Sequence, residues 1–110
     1  MEESQSQFTG RIVLERVRGA RPIRSFITKK ITGWLTSHGI GATEQPVYEV
    51  ALNRQGKGHL FTCRIRVLTR GSLWEAMVTE TDLHQAILSA LHHLTLQKRI
   101  ERSLYEVAPA

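Results

Sequence analysis

The chain has 110 residues, of which 41% are hydrophobic, enough for one modest core but not for two domains. Its 15 lysines and arginines outnumber its 10 acidic residues, and the resulting charge of +5 favours a polyanionic partner, although an ordinary solvated basic surface explains the same number equally well. A single cysteine excludes an internal disulfide, and with no secretory signal and no long apolar run we expect a cytoplasmic protein without a membrane span.

A strand followed by an amphipathic helix opens the predicted fold. Residues 8–17 mix β-branched residues with charges, which predicts the strand. Residues 22–37 carry apolar side chains at spacings of three and four, which predicts a helix with one buried stripe. Pro22 is tolerated in a first helical turn, and Gly39, just beyond the last turn, is free to adopt a positive φ.

Three consecutive strands follow this helix. The first is predicted over residues 47–52, and a glycine-rich basic turn over residues 53–59 comes after it. Residues 61–67 alternate between apolar and polar, which is the clearest strand pattern in the sequence and predicts one packed and one solvated face. A tight turn then leads to the last strand, predicted over residues 73–78.

The second helix is predicted to begin near Thr81. This residue is a good N-cap, and Asp82 in the first turn would face the positive end of the helix dipole. Apolar residues recur at helical spacing from Leu83 to Leu94, and we expect the helix to reach at least Arg99.

The element order β-α-β-β-β-α predicts an α+β fold: a four-stranded mixed sheet with both helices packed on one face. A right-handed crossover makes the first two strands parallel, whereas the last three form an antiparallel meander. We expect one domain over residues 8–104, preceded by a flexible polar arm at 1–7 and followed by a tail at 105–110. The other sheet face would carry the polar residues of the third strand: Thr62, Arg64 and Arg66.

No group of residues in the sequence is typical of an enzyme. Cys63 falls on the apolar side of the third strand, where a buried and unreactive thiol is expected. His92 and His93 are adjacent on a helix and point about 100° apart, so they cannot both bind one metal ion unaided. Since there is also no glycine-rich phosphate loop, the sequence predicts no catalytic residue, metal, cofactor or small-molecule substrate.

Basic residues are grouped around both helices and on the third strand. Affinity for a nucleic-acid backbone comes from many such distributed contacts. Aromatic residues do not alternate with the basic ones on the open sheet face, which argues against a protein that stacks on single-stranded RNA. The predicted RNA-binding residues are Arg18, Arg21, Arg24, Lys29, Lys30, Arg64, Arg66, Lys98, Arg99 and Arg102.

From about Phe8 to Arg102 the chain resembles the ribosome hibernation-promoting factor family, also described as ribosome-associated inhibitors or sigma-54-modulation-type proteins. The most specific stretch, Glu-Thr-Asp-Leu-His-Gln-Ala-Ile from Glu80, is similar to the family's acidic cap and Ala-Ile pair. Ala-Leu-His-His-Leu from Ala90, with Gln97 beyond it, is similar to the family's Leu-x-x-Gln run.

Helix one also fits this family. Its pairs beginning at Ile23, Phe26 and Lys30 are similar to the family's Leu-Arg, aromatic-Val and Lys-Leu pattern. The resemblance is to a short form of the family. It is a divergent one, because the family tends to carry other residues at five positions. Lysine or arginine is usual where Gly33, Gln85, His93 and Leu96 stand here, and an aromatic residue where His84 stands.

The resemblance implies a function. Such proteins dock in the small ribosomal subunit, in the channel used by messenger and transfer RNA, and so silence idle ribosomes. It therefore implies a non-enzymatic factor that binds ribosomal RNA and inhibits translation sterically during hibernation or stress, with Arg24 and Lys30 as the matched basic positions of helix one.

Two other functions are open on the sequence. Residues 46–50 and 59–62 look like the first strands of a double-stranded-RNA-binding domain, but residues 79–82 are acidic where that domain carries lysines, and the strand before helix one is left unexplained. A protein-binding or weakly self-associating module would instead use the exposed sheet face, which Leu68, Leu73 and Met77 make partly apolar.

Overall fold

The computed structural model describes residues 8–55 and 59–107, with residues 98–107 described as helical backbone alone. A single turn of 3₁₀-helix, Ala42–Glu44, lies in the loop after the first helix. The main elements are β1 (Thr9–Glu15), α1 (Ala20–Ser37), β2 (Val47–Gln55), β3 (Leu60–Thr69), β4 (Ser72–Glu80) and α2 (Leu83–Val107).

The four strands form one mixed sheet in the order β1-β2-β3-β4. The pair β1 and β2 is parallel and α1 connects them, whereas β2, β3 and β4 pair antiparallel. The predicted α+β class, element order and mixed sheet are therefore confirmed. Each strand of the meander is longer than predicted, and β2 continues to Gln55, so only part of the predicted turn at 53–59 remains; residues 56–58 lie outside the described residues.

One face of the sheet packs against both helices. Period-two alternation places every second side chain of β2, β3 and β4 on this face, and these side chains join the apolar stripes of α1 and α2 in one cluster. The buried apolar strand residues are Tyr48, Val50, Leu52, Cys63, Ile65, Val67, Trp74 and Ala76; the buried apolar helix residues are Ile23, Ile27, Ile31, Trp34, Leu35, Ala86, Ile87, Ala90, Leu91 and Leu94.

The other face, here called the open face, carries four rows of side chains that cross the sheet from β1 to β4. They are the apolar row Thr9, Val47, Leu68, Leu73; the charge row Arg11, Glu49, Arg66, Glu75; the mixed row Val13, Ala51, Arg64, Met77; and the polar row Glu15, Asn53, Thr62, Thr79. This confirms the predicted placement of Thr62, Arg64 and Arg66.

A tryptophan joins the two helices. The indole Nε1 of Trp34 in α1 donates a hydrogen bond of 2.9 Å to the hydroxyl of Thr95 in α2, which itself donates to the carbonyl of Leu91. The same indole meets the Trp74 ring of β4 edge to face, with ring centroids 6.0 Å apart. A buried indole N–H needs such an acceptor; here the hydrogen bond links α1 to α2, and the ring contact links Trp34 to the sheet.

The start of each helix differs from the prediction. Helix α1 begins at Ala20, two residues early, because Gly19 adopts a left-handed conformation (φ 69°) immediately before it. Asp82 rather than Thr81 is the N-cap of α2: its Oδ2 accepts a hydrogen bond of 2.9 Å from the backbone N–H of Gln85. Both residues are good caps, and pattern alone does not separate adjacent candidates.

The carboxyl end of α1 agrees with the prediction, and that of α2 lies further along the chain. Gly39 follows α1 with a φ of 75°, as predicted, and its N–H donates to the carbonyl of Thr36. Helix α2 continues to Val107, beyond the predicted limit of the domain at 104. The predicted arm at 1–7 and the end of the predicted tail, 108–110, lie outside the described residues.

Candidate nucleic-acid interface

The basic side chains of α1 lie on its exposed surface. Arg21, Arg24, Lys29 and Lys30 are exposed, as is Arg18 just before the helix. Positions 21, 24 and 28 share one side of a helix with 25, 29 and 32. The result is a shallow groove of about 530 Å³, lined by two cationic residues and three hydroxyl residues: Arg24, Lys29, Ser25, Thr28 and Thr32.

This groove has the chemistry of a phosphate contact. Its two side-chain cations supply charge, and hydroxyl groups are common donors to phosphate oxygens. Thr32 already donates its one O–H to the carbonyl of Thr28 at 2.8 Å, and the Thr28 side chain hydrogen-bonds Tyr48. Ser25 is therefore the hydroxyl residue of the groove whose O–H is left for a phosphate, alongside the two cations. These hydroxyl residues were not among the candidate site residues predicted from the sequence. Their spacing of three and four along the helix, next to Arg24, was the pattern that could have indicated them.

Arg24 also stabilises the edge of the sheet. Its Nη1 donates a hydrogen bond of 2.9 Å to the carbonyl of Ile12 in the outer strand β1. A guanidinium has five N–H donors, so most of them remain for a second partner. Substituting Arg24 would therefore disturb the fold as well as any phosphate contact.

Lys30 lies on a different side of α1 from Arg24. Its Nζ is 5.5 Å from the centroid of the Phe26 ring, and that ring meets His84 of α2 edge to face at 4.7 Å. Residues 24 and 30 are about 120° apart around the helix axis. The basic residues of α1 thus spread over its whole exposed surface.

The strand-three arginines lie on the opposite side of the molecule. Arg66 is in the charge row of the open face, with its guanidinium 3.8 Å from Glu49 and 3.6 Å from Glu75. Arg11 donates a hydrogen bond to Glu49 at the end of the same row. Arg64 lies in the next row. The sheet therefore separates Arg64 and Arg66 from the basic residues of α1.

The arginines and glutamates of the charge row neutralise one another. The hydrogen bond from Arg11 lowers the pKa of Glu49, and the positive charges of Arg11, Arg66 and Arg64 act in the same direction. Glu49 therefore holds a negative charge between two arginines. The pairing was not visible in the sequence, because it depends on a register that joins four separated segments.

The remaining predicted site residues belong to α2. Lys98, Arg99 and Arg102 fall within its helical backbone, and their side chains lie outside the described residues. Gln97, just before them, has a role in the fold: its Oε1 accepts a hydrogen bond of 2.6 Å from the backbone N–H of Glu75 in the outer strand β4.

Neither a reactive cysteine nor a metal-binding cluster is found in the part of the chain that the structure describes. Cys63 is fully buried, and burial raises the pKa of its thiol to about 12, so it remains protonated. No three His, Cys, Asp or Glu side chains come together in residues 8–55 and 59–97 as they would around a metal ion. In the same described chain, neither helix combines the length and apolar composition of a membrane span.

Two solved structures share this arrangement of helices and strands. The Protein Y N-terminal domain from Thermus thermophilus superposes with a TM-score of 0.67 at 21% identity, over 82% of this chain and 93% of that one. The chain has the Protein Y fold. A ribosomal subunit interface protein from Coxiella burnetii has the same fold, with a TM-score of 0.62 at 16% identity over 84% and 98% of the two chains. The sequence matches no protein-family model and no curated protein at a significant level.

Proposed function

We propose that this chain is a non-enzymatic, cytoplasmic factor that binds the small ribosomal subunit through its RNA and inhibits translation by idle ribosomes, as in hibernation or stress. The observation that carries the proposal is the exposed basic surface of α1 on a chain with the Protein Y fold. The likeness to a protein named for the ribosomal subunit interface points to the same partner. A basic surface that tracks phosphates fits that partner.

The helix side is the stronger candidate for the RNA contact. Arg21, Arg24, Lys29 and Lys30 face solvent there, whereas Arg66 on the open face lies between two carboxylates. A phosphate approaching Arg66 must compete with both acids, and it would be repelled by them. We therefore assign the main phosphate contacts to α1, with Lys98, Arg99 and Arg102 of α2 as further contacts.

Cosedimentation with purified small subunits over a range of salt concentrations tests this assignment. The double variant Arg21→Ala/Lys29→Ala removes two cations of α1 that carry no hydrogen bond of the fold among the described residues. Losing two phosphate contacts should weaken binding and flatten the dependence of log K on log salt by about one unit per contact.

The matched control is Arg64→Ala/Arg70→Ala, which removes the same charge from β3 and from the exposed turn that follows it, and it should leave most of the binding intact. Equal loss in both variants would show that only net charge matters. No cosedimentation of the unaltered protein at low salt would exclude ribosome binding itself.

Recognition of duplex RNA has less support. A double-stranded-RNA-binding domain grips phosphates with lysines at the start of its second helix. The corresponding end of α2 carries Asp82 as its cap, with Glu80 two residues before it in the chain. These carboxylates would repel a phosphate backbone at that position.

A further inference from the structure

The open face has no net charge, although the chain is basic. Three arginines and three glutamates lie on its four rows, so their charges cancel, whereas the chain carries +5. Its positive charge therefore lies elsewhere. A neutral face with both signs present fits a protein surface better than a polyanion.

One end of this face is apolar. At that end Val47, Leu68 and Leu73 of the apolar row are each about half exposed. Met77, which is 65% exposed, lies two rows away in the mixed row, beyond the charge row. The three apolar residues of the apolar row line a shallow depression of about 290 Å³, together with Tyr48, Glu49 and Arg66. A contiguous exposed apolar patch bordered by charged residues is typical of a protein interaction site.

We propose that the open face is an interface between two copies of this chain, related by a two-fold axis parallel to the strands. Such an axis places β1 of one copy over β4 of the other and β2 over β3, and it leaves every row opposite its own counterpart. Face-to-face packing of two sheets with nearly aligned strands is a common arrangement, with the sheets about 10 Å apart.

The charge row is self-complementary under this axis. It reads plus, minus, plus, minus from β1 to β4, so the reversed order in the second copy puts an opposite charge over each position. Arg11 then opposes Glu75 of the second copy, and Glu49 opposes Arg66 of the second copy. Such complementarity specifies the register of an interface more than it adds affinity.

The other rows agree with the same axis. In the apolar row Val47 opposes Leu68 of the second copy, and in the mixed row Val13 opposes Met77 of the second copy. A two-fold axis in the plane of the interface but perpendicular to the strands gives neither the charge pairs nor the apolar contacts. It would set the apolar row against the polar row and Arg66 against Arg64 of the second copy. Only the axis parallel to the strands satisfies both the charges and the apolar contacts.

The size of the face predicts a weak dimer. Four strands by four rows cover about 19 Å by 27 Å, or about 500 Å² on each copy. The total of about 1,000 Å² is at the low end for specific protein interfaces. We therefore expect monomer and dimer to exchange rapidly, with the dimer populated only at high concentration.

Sedimentation equilibrium of the isolated chain, with no ribosome present, measures this association independently of the proposed function. The unaltered protein should show a concentration-dependent monomer–dimer equilibrium. Glu49→Arg and Arg66→Glu should each weaken it by about tenfold or more, because each puts like charges opposite each other twice in the symmetric dimer. Circular dichroism establishes that both variants are folded.

Mixing the two variants provides the decisive measurement. In the mixed pair Arg at position 49 opposes Glu at position 66 of the other variant, and Arg66 opposes Glu49, so both contacts are restored. An equimolar mixture should dimerise at a total concentration at which each variant alone is still monomeric. A mixture that stays monomeric would overturn this arrangement, and an unaltered protein that stays monomeric at millimolar concentration would overturn the interface altogether.

Discussion

Gly10 has no side chain, and the space that this leaves determines where the ring of Tyr48 lies. Tyr48 is opposite Gly10 in the register, and its ring occupies the space beside that glycine, where a Cβ would lie only 2.0 Å from the ring carbons. The phenol passes over β1 to hydrogen-bond Thr28 of α1. Burial raises the pKa of Tyr48, and the hydrogen bond with Thr28 opposes that rise. The glycine thus gives the aromatic ring a path to the helix.

Gly10→Ala should therefore destabilise the protein. The new methyl group must displace the Tyr48 ring, and overpacking of this kind costs about 1–3 kcal/mol. Urea denaturation measures the loss. Gly33→Ala is the matched control: Gly33 is an exposed position inside α1 with nothing within 4 Å of an added Cβ, so this change should stabilise by about 0.5–1 kcal/mol. Destabilisation of similar size in both variants would contradict the explanation.

Cys63 should not react with a thiol reagent in the native protein. It is fully buried between the register partners Leu52 and Val78, and its pKa of about 12 leaves almost no thiolate at pH 8. We expect the thiol to be titrated at once in denaturant and only at the rate of opening without it. Rapid native modification would show that the sheet opens at β3.

At the scale of elements, the cap of α2 is the clearest test. Asp82→Ala removes the acceptor for the Gln85 N–H and should cost about 1 kcal/mol of the free energy of unfolding. Thr81→Ala is the matched control and should cost little, because the helix begins after Asp82. A larger loss from Thr81→Ala, measured by thermal unfolding, would restore the assignment made from the sequence.

Elements with a strict pattern were predictable, and those that depend on distant contacts were not. The alternation around Ile65 predicted β3 and the residues on each of its faces, and the apolar stripe of α1 predicted its buried side. The hydrogen bond from Arg24 to Ile12 was not predictable, because no local pattern relates an exposed helical arginine to a strand carbonyl. The alternating charge row likewise exists only once the register is known.

At the scale of the whole molecule, acid should weaken the fold through the charge row. The folded-state pKa of Glu49 lies below its usual value, so the pairing stabilises the protein above the unfolded pKa of about 4.3 and is lost as the pH falls through the folded value. Glu49→Gln should therefore flatten the fall in melting temperature between neutral pH and about pH 3. An unchanged pH profile would assign the acid sensitivity to other carboxylates.

The two outer strands of the sheet are partly closed to further pairing. The Arg24 side chain hydrogen-bonds the backbone carbonyl of Ile12 in β1, and the Gln97 side chain hydrogen-bonds the backbone N–H of Glu75 in β4. Unsatisfied edge groups are what allow sheets to add strands without limit. A two-fold contact between open faces uses up the only other flat surface of the sheet, and such contacts close on themselves. We therefore expect association to stop at two chains, and concentrated solutions to remain free of fibrils.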